Sequence, residues 1–532
     1  MDELLSGRPI VGSLTWLDAA VFLAALGAMF AIAFLKGRKE ADTTDFFLGG
    51  RGVPVIVAAL SFVATEVSAV TITNVPGTGF TENLQYLQFY IGSAASKIFV
   101  AFLFLPVFYK QGCTSIYEFL RHRFGPPSQY SGSIFFFVTR LLASGARLYA
   151  ACYAIAWILG WVDAAHPVRG LVAALALFTV ASIAFIAFGG IKAVVWTGAY
   201  QASIFYLAGA AVIVFLLTRL VGGGAQIWSV ARDAGRLSVF DFSPDFNRPT
   251  SFWAGTANAF FIGLAVFGTD QELVQRLLTV RTRRASQRAI LTTIIAALPI
   301  TVIYLAIGTL MFVFFAQNAD PHLPAKAKEV FPYYIAHYLP GGLRGLVLAA
   351  IVLASIDSPL VSLSSSFVTD IYRPLVRRGG SEKHYLWVSR IGVAGFGIVL
   401  AGIAVACTKA DNILWLAFQV ISITGGSLLG VFLLGILTRR GSNRGNVIAM
   451  VANGVLMAVL TLLSSFGPVG MKRFLGLTGQ LVPAGETPIF PLAWSWIIVL
   501  GTGVTFLLGL LLGGSVRRPV ESPPAGRQEG SE

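Results

Sequence analysis

Apolar runs long enough to cross a bilayer recur along almost the whole chain, and no other feature narrows its possible folds so far. A membrane-crossing helix needs roughly 20 apolar residues. Such runs occupy 14–35, 53–80, 84–109, 132–160, 168–190, 193–220, 251–279, 289–316, 341–370, 384–407, 411–437, 444–466 and 489–514. Only Gly189-Gly190 separates the fifth run from the sixth. Charged residues make up 12% of the chain and hydrophobic ones 56%, against about 25% charged in soluble proteins. Too little polar surface is left to cover the apolar mass in water. The expected fold class is an all-α membrane protein of about thirteen transmembrane helices, with the lipid bilayer as its solvent. The first run is expected to be a retained helix rather than a cleavable leader: it is too long, its preceding flank is nearly uncharged, and KGRKE follows it.

The net charge of +14 would suggest nucleic acid in a soluble protein. Here the basic residues collect in loops. With the N-terminus outside, about twice as many Lys and Arg fall on the inner side as on the outer, including the dense stretch RLLTVRTRRASQR. A cytoplasmic C-terminus follows, and the expected location is a bacterial inner membrane. Cys113, Cys152 and Cys407 have no metal-ligand spacing, and five scattered His give no zinc or haem motif. No soluble segment is large enough for enzymatic chemistry. No nucleic-acid partner is expected, and a monomer is.

Ionisable residues inside hydrocarbon are costly and mark functional pathways. The second run, SFVATEVSAVTITNVPGTGF, contains Ser61, Glu66, Ser68, Thr71 and Asn74. Pro76 removes a donor, and Gly77 and Gly79 should loosen the end of this helix. A broken helix can offer carbonyls to a cation and N–H groups to an anion. In the ninth run, Ser355, Ser358 and Ser362 share a helix face, and Pro359 cannot donate to the Ser355 carbonyl. Asp357 adds a carboxylate beside these hard oxygen ligands. In the fourth run, Arg140 and Arg147 share a face. Either holds an anionic solute, or both neutralise Glu66 or Asp357 internally. Lys97 is expected to snorkel toward an interface.

The strings FFLGGRGVP, SFVATEVSAVT with VPGTGF, TSIYEFLRHRFGP, GGIKAVVWT, GTDQELVQRLL and DSPLVSLSSSFVTDIYRP stand in the order and spacing of the sodium:solute symporters, and the chain resembles that family from about Asp45 to Arg440. The resemblance implies a leucine-transporter-like core of two inverted five-helix repeats with a midplane site. The implied organisation is an extra N-terminal helix in 1–45, a first repeat in 46–222, a second with outer loops in 223–440, two C-terminal helices in 441–514, and a disordered tail in 515–532.

Sodium as the co-transported ion is implied by the same resemblance. Its principal site falls on Ala64, Val67, Ile351, Ala354 and Ser355, with Ala354 standing where a Ser is usual. The family often carries Asp in the fifth core helix, where this chain has Gly198; Asp357 with Ser358 is expected to restore the lost charge. For the small organic solute the candidate ligands are Glu66, Ser68, Thr71, Tyr86, Gly263 and Gln419, with Arg140 or Arg147 completing a carboxylate site; the resemblance implies carboxylate-binding hydroxyls at Ser68 and Thr71, sugar-binding positions near Thr71 and Gly263, and a sugar-contacting Gln one place from Gln419. A sodium-coupled symporter for a carboxylate or sugar acid is the expected function. The alternatives are a sodium/sugar cotransporter, a proton-coupled symporter using Asp357, and, more remotely, a channel or membrane sensor.

Overall fold

The computed structural model describes residues 15–37, 42–158, 167–245, 248, 250–356, 359–407, 413–467, 471, 489–490 and 492–514. Their regular structure is helical, with no strand. Helix α1 (Trp16–Lys36) precedes the short α2 (Thr43–Leu48), which leads through a 3-10 turn into α3 (Val55–Glu66) and α4 (Ala69–Thr81). Next come α5 (Phe89–Phe99), α6 (Leu105–Lys110), α7 (Glu118–Arg123), the long α8 (Pro126–Ile158) and α9 (Pro167–Arg219). The surface helix α10 (Gly223–Asp233) is followed by α11 (Phe252–Gly268), α12 (Gln271–Leu278), α13 (Arg283–Gln317) and α14 (Ala327–His337). The remainder comprises α15 (Leu343–Ile356), α16 (Leu360–Ser366), α17 (Glu382–Ala406), α18 (Ile413–Leu437), α19 (Asn443–Ser465) and α20 (Ile497–Leu511). A π-helical stretch, Phe367–Val376, continues α16.

Among the described residues, 7 helices are long and apolar enough to cross a membrane, or up to 9 if each bent pair is one span. Shorter apolar helices add Arg169–Ala184, Leu343–Ala354 and Ile421–Leu437. Ile295 is 78% exposed, Ile398 68% and Leu511 78%. Large apolar side chains turned outward on helix after helix need lipid around them, which makes this a multi-pass membrane protein. Inside α9, Gly190 takes φ 48, ψ −148, a conformation open to glycine. The chain therefore breaks where the Gly189-Gly190 pair predicts.

Three other breaks position the candidate site. The 3-10 end of α2 meets α3 at 111°. Helices α3 and α4 are separated at Val67–Ser68, where both residues are extended (Val67 ψ 118, Ser68 ψ 167). Here the structure corrects the sequence reading, which put the irregularity at Pro76–Gly79. Pro76 lies inside α4, and Gly79 is a packing residue: a Cβ there would come within 2.5 Å of the Leu305 carbonyl on α13. The run at 251–279, read as one helix, bends by 60° between α11 and α12. Asp270 caps α12 there, accepting the Glu272 N–H at 2.9 Å.

The extra helix α1 is tied to α15 by Asp18, whose Oδ1 accepts the N–H groups of Gly342 and Gly345 at 2.9 Å each. Its Oδ2 meets Arg344 Nη2 at 3.0 Å. In the segment between α13 and α14, Asp320 accepts the hydroxyls of Tyr338 at 2.6 Å and Tyr333 at 2.8 Å, and the N–H of His322 at 2.9 Å. The Tyr338 hydroxyl above all holds the Asp320 carboxyl below its ordinary value of 3.8. A depressed acid contributes stability above its unfolded pKa and loses it as pH falls through the folded one. Hydrogen-exchange protection of 318–338 should therefore be flat from pH 7 to 5 and fall below pH ~3.8. Asp320→Asn should remove that pH step.

Candidate functional site

Glu66 is the last residue of α3, and the chain turns at the next peptide. The Ser68 N–H, which would continue the helix to the Ala64 carbonyl, goes instead to Thr71 Oγ1 at 3.3 Å. The Thr71 N–H returns to Ser68 Oγ at 3.4 Å, closing a capping box at the start of α4. Thus Ser68 and Thr71, expected to meet the solute, hold each other in this structure. At one point inside the bundle, α3 ends in carbonyls and α4 begins in N–H groups. The first end favours a cation and the second an anion.

Two ionic clusters flank the break. Lys97 Nζ on α5 donates to both Glu66 oxygens, at 3.0 Å and 2.8 Å. Lys97 does not snorkel: its side chain is fully buried, with the Phe267 ring 5.0 Å from Nζ. Arg140 on α8 pairs with Asp270 through Nη2 and with Glu272 at 2.5 Å through Nη1. Among the described residues Arg140 thus pairs with Asp270 and Glu272 and not with Glu66, while Asp357, its other expected partner, lies outside the described residues. The Arg140 charge is spent on the first turn of α12, where the α11–α12 break presents two acids.

A cavity beside the break is lined by Ala64 and Thr65 of α3, Ser144 and Arg147 of α8, Thr179 and Ser182 of α9, Glu272 of α12, Ala354 of α15, and Pro359. The sequence-predicted Ala64, Ala354 and Arg147 thus line one cavity, which joins the runs 53–80 and 341–370. Arg147 is itself engaged by a partner. Val67 and Ile351 are buried close by in sequence. The backbone of Ser355 lies in α15, but its side chain falls outside the described residues, as do Asp357 and Ser358 entirely and the side chain of Gln419.

Other predicted positions are placed differently. Tyr86 is 42% exposed and stacks on Phe89. Gly263 presses against Ser96 and lets α11 pack on α5. Gly198 touches α3, and a Cβ there would lie 2.5 Å from Ser61 Oγ and 3.1 Å from its Cα. The sequence reading took Gly198 as a lost charge; the geometry makes it a close approach of two helices.

Sequence reasoning missed Asp270, Glu272 and Asp370. Asp270 carried a usable signal, since Gly-Thr-Asp inside an apolar run is a helix stop followed by an N-cap. Asp370 is fully buried and accepts from Ser115 (2.7 Å), Ser133 (2.9 Å), Ser366 (2.5 Å) and Gln129 (2.8 Å). It staples the start of α8 and the 113–117 turn to the π-helical stretch.

Residues 46–453 match the profile of the sodium:solute symporter family. Sodium-coupled monocarboxylate transporter 2 of Danio rerio is 29% identical over 424 residues, 77% of this chain and 65% of that protein. Sodium-coupled monocarboxylate transporter 1 of Homo sapiens is 28% identical over 440 residues, 81% of this chain and 70% of that one. The human sodium/iodide cotransporter is 27% identical over 464 residues, covering 85% and 70%. The match spans just under two thirds of the zebrafish protein's length. A solved Na+-coupled sialic acid symporter superposes with a TM-score of 0.79 at 23% identity, covering 94% of this chain and 100% of the other, which places the two in one fold. With its family profile matched over most of its length and its apolar helices broken at the core, the chain belongs to the sodium:solute symporter family.

Proposed function

We propose that this chain is a secondary symporter that couples inward sodium flow to uptake of a small monocarboxylate by alternating access. The observation that carries the reading is the α3–α4 break, where carbonyls and N–H groups end at one buried point beside a lysine whose hydrogen bonds, among the described residues, go to a carboxylate. Cation and anion ligands thereby become neighbours. Relatives whose names specify monocarboxylate and iodide support a small anion over a neutral sugar.

Sodium is proposed to sit on carbonyls of Ala64, Val67 and Ile351 with Ala354 and Ser355. Asp357 with Ser358 would supply the nearby negative charge. The solute carboxylate is proposed to meet the start of α4 at Ser68 and Thr71. Thirteen spans in a 5+5 arrangement within the boundaries given above, an outside N-terminus and a monomer in a bacterial inner membrane complete the reading. The protein has no enzymatic role and no nucleic-acid partner in this reading.

Proteoliposomes with an inward sodium gradient test it. Labelled propionate or lactate should accumulate at least tenfold over a potassium control, with galactose and sialic acid at background. Accumulation of a sugar with no monocarboxylate uptake, or uptake indifferent to sodium, would overturn it.

A further inference from the structure

Lys97 is fully buried, whereas the Glu66 side chain is 21% exposed. Among the described residues, the hydrogen bonds of Lys97 Nζ go to Glu66 alone, through both oxygens. An ammonium enclosed by Phe267 and its neighbours cannot leave for water; it can only change anions. The carboxylate it holds is the same chemical group that a monocarboxylate presents. Glu66, the accessible partner, sits in the α3 turn between Ala64 and Val67, one peptide before the chain loses helical geometry. A cation on those carbonyls would lie within two residues of Glu66 along the chain.

We propose that the Lys97–Glu66 pair is the coupling element. Solute and sodium open it together: the solute carboxylate replaces Glu66 on Lys97 Nζ, and sodium replaces Lys97 on Glu66. No covalent bond changes and no proton moves; one internal ion pair becomes two. Sodium alone strands the Lys97 charge, and the solute alone strands Glu66. Only the two together leave every buried charge paired, so each ligand raises the other's affinity by the same factor. The extended backbone at Val67–Ser68 gives Glu66 the hinge it needs to swing away from α5. This deepens the monocarboxylate reading and rests on it for the identity of the anion.

The test uses the full chain in nanodiscs, with equilibrium binding of 22Na+ and labelled propionate, each titrated with and without the other. Wild type should show reciprocal coupling of about a hundredfold. Glu66→Gln leaves Lys97 without its internal anion, so propionate should bind at least tenfold tighter without sodium, and coupling should fall to within about twofold of unity. Lys97→Met leaves Glu66 without its cation, so 22Na+ should bind at least tenfold tighter in the absence of solute, while propionate binding is lost. The neutral pair Glu66→Gln/Lys97→Met keeps the site uncharged if either single variant fails to accumulate; without Lys97 it should bind no propionate, and its 22Na+ affinity should be the same with and without propionate. Coupling at the wild-type factor in the double variant, or in a single variant with wild-type thermal stability, overturns the exchange. So does unchanged 22Na+ affinity in folded Lys97→Met. If wild type binds no monocarboxylate but Lys97→Met gains sodium affinity, the exchange stands and only the choice of anion falls.

Discussion

Arg140→Met should reduce the folded yield of the membrane protein to a tenth or less. The guanidinium reaches from α8 to the first turn of α12 and meets Asp270 and Glu272 there. Both acids are well buried, with 11% and 2% of their side chains exposed. The N-terminal end of α12 favours negative charge, but only by about 0.3–1 kcal/mol per group. Removing one partner of a buried pair costs about 3–5 kcal/mol, because the other charge stays behind. Methionine keeps the stem and deletes the charge, so the loss is electrostatic rather than a packing defect. Fluorescence-detected size-exclusion chromatography and a thermal melt in detergent measure it. Adding Asp270→Asn and Glu272→Gln to Arg140→Met should recover most of the folded peak, since no buried charge then lacks a partner. A folded Arg140→Met protein with wild-type melting would show that the α8–α12 contact is held by something else.

The contrast with the sequence reading is instructive at this residue. Arg140 is visible in the sequence as an arginine in an apolar run. Its partners were not visible, because Asp270 is 130 residues away and sits in a run that looks like one uninterrupted helix. Lys97 and Glu66 are 31 residues apart, and nothing in either local pattern says that the two helices touch. What was legible was what composition controls: the long apolar runs, and the Gly189-Gly190 break, where only glycine takes the backbone angle.

The breaks that build the site obey a different logic. Val67–Ser68 contains no glycine or proline, so the usual breakers in that run point elsewhere, to Pro76 and Gly79, whereas Gly268 does stand beside Thr269–Asp270. In both places the helix ends because a side-chain oxygen caps the next one: Ser68 with Thr71, and Asp270 with the Glu272 N–H. Capping residues cost little in the middle of a membrane only when their polar groups are satisfied locally. The signal exists in the sequence but is short, and a hydropathy window averages it away. Glycines mislead in the opposite direction: Gly79, Gly198 and Gly263 look like loosened backbone or missing ligands, yet each marks a helix–helix contact.

Gly198 yields the sharpest divergence between the two readings. If it were simply an absent carboxylate, Gly198→Asp would restore a sodium ligand and tighten sodium dependence. The geometry gives the opposite expectation. A Cβ at this position lies 2.5 Å from Ser61 Oγ and 3.1 Å from both Ser61 Cα and Cβ, so part of what it meets is backbone that cannot rotate away. Helix α3 must then move off α9, and α3 carries Ala64 and Val67 at its end. Overpacking of this kind costs about 1–3 kcal/mol, and a buried carboxylate adds its desolvation on top. Sodium-driven uptake by Gly198→Asp should fall below about a twentieth of wild type, because at ~1.4 kcal/mol per decade these costs exceed what the site can absorb. Gly198→Ala isolates the steric part and should lose stability while keeping measurable uptake. Combining it with Ser61→Gly, which deletes the opposing Cβ and hydroxyl, should return most of the melting temperature. Normal yield for Gly198→Asp together with a lower sodium requirement would mean that α3 and α9 have room to part here, and that the missing carboxylate is the right description of Gly198 after all.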